Sequence, residues 1–177
     1  MKHLFILIPL LAFKISYGQI ENKHEVSNAE KFSAKAGTLI QKEFIDVSRI
    51  NKADVKVVRY TDLVSDESIS AVRFEYEVVG SYSADTKVAS LDADEIDGLL
   101  KSIKMMQQKV LSSTPINYTE VIYKSRGGFE AGCYWNKGTW STYLKLMQND
   151  GKSYLFLKKD DFPELVTLLE KVRTMMM

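Results

Sequence analysis

The sequence predicts an α+β protein made of two β4α repeats, each an antiparallel four-stranded meander followed by a helix, forming one compact domain. Three observations carry this. Apolar residues alternate at period two through several β-branched and aromatic stretches. Glycine-bearing turn clusters punctuate the second half of the chain. Two amphipathic helices match one another at an offset of 69 residues, Asp161 with Asp92, Glu164 with Glu95, Leu168 with Leu99 and Leu169 with Leu100.

The first eighteen residues, MKHLFILIPLLAFKISYG, combine a basic start at Lys2, an apolar run from Leu4 to Phe13, and small residues Ser16 and Gly18 placed as before a cleavage site. They are expected to be a signal peptide cut before Gln19. The run is shorter than a membrane span and Lys14 interrupts it. Without a cysteine after the cut, a lipoprotein is not expected; the mature protein is placed in the periplasm or outside the cell. Its one cysteine, Cys133, makes no internal disulfide, so stability rests on an apolar core or on oligomerisation.

Residues 19–36 are polar and read as a loose arm with a helical turn near Ala29 to Lys35. Residues 37–112 form the first repeat. Thr38–Val47, Asp54–Tyr60 and Ile69–Val79 are strands, the last with Val72, Phe74, Tyr76 and Val78 on one face and Arg73, Glu75 and Glu77 on the other. A short extended piece at Thr86–Ala89 leads into a helix capped by Asp92 with Glu95 three residues on. Ile96, Leu99, Leu100, Ile103 and Met106 make its apolar face. The acidic run DADEID lacks the glycine and distal glutamate of a calcium loop, and acids in a first turn are favoured by the helix dipole; no metal and no cofactor are expected.

Residues 113–177 form the second repeat, with strands at about Tyr118–Ser125, Phe129–Trp135, Thr139–Gln148 and Lys152–Lys158. Gly127-Gly128 reads as a two-residue loop, and Asn136-Lys137-Gly138 and Asn149-Asp150-Gly151 as three-residue loops. The registers these imply put Val121, Tyr123, Tyr134, Trp140, Leu144, Leu146, Tyr154 and Phe156 under the helices. The other face would carry Ile122, Phe129, Cys133, Trp135, Tyr143, Leu155 and Leu157 among Glu120, Lys124, Arg126 and Lys145. Such a mixture is a ligand platform or an interface with the other half or another chain. Lys124, Arg126, Trp135, Tyr143 and Lys145 are the candidate contacts.

The β4α repeat resembles the PUR-type and Whirly-type folds that bind single-stranded nucleic acid, over about Gly37 to Met175. The resemblance implies single-strand binding, though none of those families' binding residues carries over to a position here. The charge opposes it. Losing residues 1–18 takes Lys2 and Lys14 from 24 basic side chains set against 23 acidic ones, which leaves a formal charge of −1 and no basic excess for phosphates.

His3 departs with the signal peptide and His24 lies in the polar arm, so the folded part brings no histidine to general-base, triad or zinc chemistry. Cys133, mid-strand, reads as a small buried apolar residue. Carboxylate chemistry of the glycosidase kind has Glu120 and Glu130 as candidates, which the expected registers place on opposite faces. The leading expectation is a non-enzymatic binding or interaction module whose partner is a small ligand, a glycan or an envelope protein, with homo-oligomers allowed. A carboxylate-dependent glycan hydrolase is the alternative, and single-stranded nucleic-acid binding comes third.

Overall fold

The computed structural model describes residues 25–79, 84–158 and 160–176. The expected signal peptide and His24 lie outside them. The protein is α+β. Strands β1 (Ile40–Ile50), β2 (Ala53–Asp62), β3 (Ser68–Val79) and β4 (Ala84–Asp92) form one antiparallel meander in sequence order, followed by helix α2 (Ala93–Met105). Strands β5 (Thr119–Lys124), β6 (Glu130–Asn136), β7 (Thr139–Lys145) and β8 (Tyr154–Leu157) form a second, followed by α3 (Asp161–Met176). A short helix α1 (Asn28–Ser33) precedes both. Among the described residues no helix is long and apolar enough to cross a membrane.

Alternation decides which side of each strand is dry. On β2 and β3, Val55, Val57, Val72 and Phe74 are buried and share a face, since Val57 lies opposite Val72 and Val55 opposite Phe74. They meet Ile96, Leu99, Leu100 and Ile103 of α2 and Leu165, Leu168, Leu169 and Val172 of α3. These helix positions correspond at the same spacing of 69 residues, and all eight are buried. Helix α3 follows the second sheet yet lies against β1, β2 and β3 of the first, where Lys171 Nζ donates to the Val47 carbonyl at 3.1 Å. The inner face of the second sheet joins the same core through Ala131, Cys133, Leu144, Leu155 and Leu157, and Phe129 stacks on Phe74 with ring centroids 5.1 Å apart.

Residues 25–36 are not a loose arm. Ser27 and Ala29 are fully buried, and α1 packs on the back of the first sheet with Val58, Tyr60 and Ala71. The backbone N–H groups of Asn28 and Ala29, which a first helical turn leaves without intrahelical partners, donate to the Asp92 carboxylate at 2.7 and 2.9 Å. That anchor comes from a residue more than sixty positions away.

The turns of the second sheet depart from expectation, each by one residue of register. Lys124 lies opposite Glu130, so β5 and β6 close around Ser125–Phe129 instead of Gly127-Gly128. Ser125 accepts on Oγ from the Phe129 N–H at 3.0 Å, and Gly128, at φ +81°, completes the turn. The β6–β7 loop is two residues, Lys137-Gly138, both at positive φ, because Asn136 pairs with Thr139. The β7–β8 loop runs from Met147 to Lys152, with Lys145 opposite Tyr154 and the Leu146 N–H donating to the Ser153 carbonyl at 3.2 Å.

A shift of one residue turns a strand over. The first slip inverts β6, the second restores β7, and the third inverts β8. Val121, Tyr123, Trp140, Leu144 and Leu146 therefore face the core as expected, while Cys133, Trp135, Leu155 and Leu157 join them there. Tyr134, Tyr154 and Phe156 go to the outer face instead.

Candidate functional site

The outer face of the second sheet gathers Glu120, Ile122 and Lys124 from β5, Glu130 and Tyr134 from β6, Tyr143 and Lys145 from β7, and Tyr154 and Phe156 from β8. Tyr118, just before β5, extends it. Five rings run in contact from Tyr118 across β6, β7 and β8: Tyr118 to Tyr134 at 6.3 Å between centroids, Tyr134 to Tyr143 at 6.4 Å, Tyr143 to Tyr154 at 5.1 Å and Tyr154 to Phe156 at 6.1 Å. Tilted and offset pairs at these distances are mutually attractive. With Glu120 and Gly151, the rings line an open hollow of about 340 Å³.

The two ends of the line are open and its middle is not. Tyr118 is 60% exposed and Phe156 56%, whereas Tyr143 is 5% exposed. Gly132 explains the middle. It lies opposite Tyr143, and a Cβ there would fall 2.9 Å from the Tyr143 ring and hydroxyl and 3.0 Å from the Val121 carbonyl oxygen. The bare backbone of β6 is the floor on which Tyr143 rests, and burial drives its phenol pKa up. Gly132→Ala is expected to lift the ring and cost about 1–3 kcal/mol. Urea denaturation and the near-ultraviolet dichroism of the tyrosines read both effects, and an unchanged spectrum would refute this packing.

Charges on this face cancel locally. Glu130 holds Lys124 at 3.4 Å and Lys145 at 3.9 Å, and Lys145 lies 5.1 Å above the Tyr154 ring. The Tyr118 hydroxyl donates to Glu120. Glu120 and Glu130 share the face, contrary to expectation. Glu130 stands opposite Lys124, four residues along β5 from Glu120, so the two backbones are about 13 Å apart. Glycosidase carboxyl pairs are separated by about 5–10 Å.

Of the five expected contacts, Lys124, Tyr143 and Lys145 belong to this face. Trp135 does not, because β6 is inverted: its ring lies 5.6 Å from Trp140 on the inner side, and Trp140, with Leu111, Ser141, Thr142, Phe156, Leu157 and Phe162, lines a second hollow of about 450 Å³. Tyr134, Tyr154 and Phe156 were legible as aromatics but were assigned to the wrong side.

Arg126 is not a free anion grip. Its guanidinium bonds Asp92 at 2.9 Å and Asp94 at 2.9 Å, and its backbone N–H donates to Glu95 Oε1 at 2.7 Å. The other Glu95 oxygen accepts from the Asp92 N–H at 3.0 Å, closing the helix cap. Tyr123 donates its hydroxyl to the Glu95 carbonyl at 3.0 Å, and its own pKa is pushed up to about 12 by burial. The acidic run therefore has a counterion, a side chain from the second half of the chain. The hydrogen bonds that Arg126 donates to Asp94 and Asp92 raise its pKa, and Arg126 in turn holds the Asp94 carboxyl below its ordinary value. Among the described residues no group of three or more His, Cys, Asp or Glu side chains is arranged to hold a metal ion. Cys133 is fully buried, which pushes its thiol up to about 11, away from the thiolate form.

Elsewhere the same logic recurs. Asp62, buried, is held well below the usual carboxylate range by the Thr38 hydroxyl and Lys35, and Asp150 is lowered by Lys87, which bridges β4 to the β7–β8 loop at 2.6 Å. A carboxyl lowered on folding contributes stability that is complete above its unfolded value of about 3.9 and is lost as pH falls toward the folded value. The partner Lys35 and Lys87 are raised, so their contribution is complete throughout neutral pH. The melting temperature is expected to be flat between about pH 5 and 8 and to fall below about pH 4. Thermal melts across that range check it, and a break near pH 6.5 would contradict it.

Comparison with protein-family models, with curated proteins and with solved structures finds no match.

Proposed function

We propose that the protein is a secreted, non-enzymatic binding module, and that the outer face of the second sheet is its ligand surface. The observation that carries this is the unbroken line of five rings, open at Tyr118 and Phe156 and seated at its centre on Gly132. Tyrosine offers large, rigid contact area with a polar tip at little cost in side-chain entropy. The signal-peptide reading of residues 1–18 supports a place outside the cytoplasm. The two meander-plus-helix halves with corresponding buried helix positions support an internal duplication, and with it the likeness to PUR-type and Whirly-type folds. Function does not follow from that likeness.

The single-stranded nucleic-acid reading has stacking surface in its favour and charge against it, since Lys124 and Lys145 already face Glu130. The wide separation of Glu120 and Glu130 weighs against the hydrolase.

A thermal-shift screen of residues 19–177 against glycans, small anions and short single-stranded DNA tests the module. A ligand at about 100 times its Kd stabilises by about 2.7 kcal/mol. Tyr118→Ala and Phe156→Ala, both at exposed ends of the line, are expected to leave the unliganded melting temperature within about 2 °C, because surface changes of this kind cost little. They are also expected to abolish the ligand's shift. A shift that survives the double variant would move the site off this face.

A further inference from the structure

We infer that the ligand of this face is a neutral glycan chain lying across the strands, its sugar rings stacked on Tyr118, Tyr134, Tyr154 and Phe156. The inference rests on the binding-module proposal and names its ligand class. A pyranose ring has an apolar face of C–H bonds and a rim of hydroxyls. The protein face is its complement: ring planes in a row, with a phenol hydroxyl on all but Phe156 and a carboxylate, Glu120, beside the first. Tyr154 and Phe156 lie within 15° of coplanar orientation, so a pair of adjacent sugars meets rings of one attitude.

Charge selects among the other occupants. The two acids, Glu120 and Glu130, balance the two lysines, Lys124 and Lys145, and three of the four are already engaged with one another. A polyanion gains little from a surface without free positive charge. A dry protein interface, including a second copy of this chain, would have to bury the exposed charges of Glu120 and Lys124 away from water, which costs several kcal/mol per ion before any return. A glycan leaves these groups hydrated or bonded to its hydroxyls, and bridging water is tolerated at such contacts.

Titration calorimetry of residues 19–177 tests this with hexasaccharides of β-1,4-linked glucose, N-acetylglucosamine, mannose and xylose, with maltohexaose, and with oligothymidylate. At least one hexasaccharide is expected to bind, with a Kd that changes less than twofold between about 50 and 200 mM salt. Tyr118→Ala and Phe156→Ala should each weaken it about tenfold or more, as loss of a stacking ring does elsewhere. Phe44→Ala, an exposed ring on the first sheet, should leave it unchanged. Failure of every hexasaccharide overturns the glycan assignment, as does binding that the two variants do not weaken. Should oligothymidylate alone bind, with steep salt dependence and loss in Phe156→Ala, the ligand class falls and the ligand surface stands. Should a bound probe prove indifferent to both variants, the surface falls as well.

Discussion

Phe129→Ala is expected to lower the unfolding free energy by about 3–5 kcal/mol. Phe129 is fully buried at the mouth of the β5–β6 turn, and its ring stacks on Phe74 at 5.1 Å. One ring belongs to each half of the chain, so the truncation opens a cavity where the two sheets share their core. Stability of a domain this size is about 5–15 kcal/mol, and the variant should stay folded under native conditions while its urea midpoint drops sharply. Phe74→Ala should behave alike. Because the rings touch, the double variant should cost less than the sum of the two, with a coupling of about 0.5–1.5 kcal/mol. Additive losses would mean that the halves do not communicate through this contact.

Asp92→Ala is expected to cost about 3 kcal/mol and to release α1 from the first sheet. Asp92 is 2% exposed, and its carboxylate accepts from the backbone of Asn28 and Ala29 and from Arg126. Truncation strands two N–H donors and takes one of two hydrogen-bonded carboxylate partners from the Arg126 guanidinium, which keeps Asp94, and orphaned donors carry the penalty of their lost hydration. Asp92→Asn keeps an acceptor without the charge and should recover part of the loss. Hydrogen exchange at Asn28 and Ala29 reads the release directly. Slow exchange there in Asp92→Ala would show that α1 is held by apolar packing of Ala29 and Phe32 alone.

How much was legible in the sequence divides along the range of the interactions. The strands and both long helices follow from periods of two and 3.6, which are local, and Asp92 with Glu95 announced the start of α2 correctly. Turns with the right glycines were found, but their lengths were set elsewhere. Gly127-Gly128 looks like a complete loop until Arg126 is drawn to Asp92, Asp94 and Glu95 and Ser125 bonds back to Phe129. The loop before β8 was lengthened by Ser153, whose hydroxyl donates to the Asp150 carbonyl at 2.7 Å and whose Oγ accepts from the Met147 N–H at 3.1 Å. Three misjudged residues of register carried two strands, β6 and β8, to the wrong face, the second slip cancelling the first at β7. The aromatic line was therefore present in the composition and scattered over two faces on paper. The helical turn of α1 was legible, with Ser27 and Glu30 forming its own capping box, but its docking was not, since the carboxylate that takes the Asn28 and Ala29 N–H groups lies more than sixty residues later.

The meander order of both sheets also governs how the chain reaches its structure. Every strand pairs with its sequence neighbour, so each sheet can grow hairpin by hairpin, closing only short loops at each step, and the entropy lost per closure stays small. The contacts between the halves are of longer range, as α3 lies on the first sheet, Phe129 on Phe74 and Lys87 against Asp150. Neighbour-only pairing within a sheet keeps strand contacts closer in sequence than crossover connections would, which favours faster folding. Pairing within each sheet is thus local in sequence, and what joins the two sheets is the core that both long helices share.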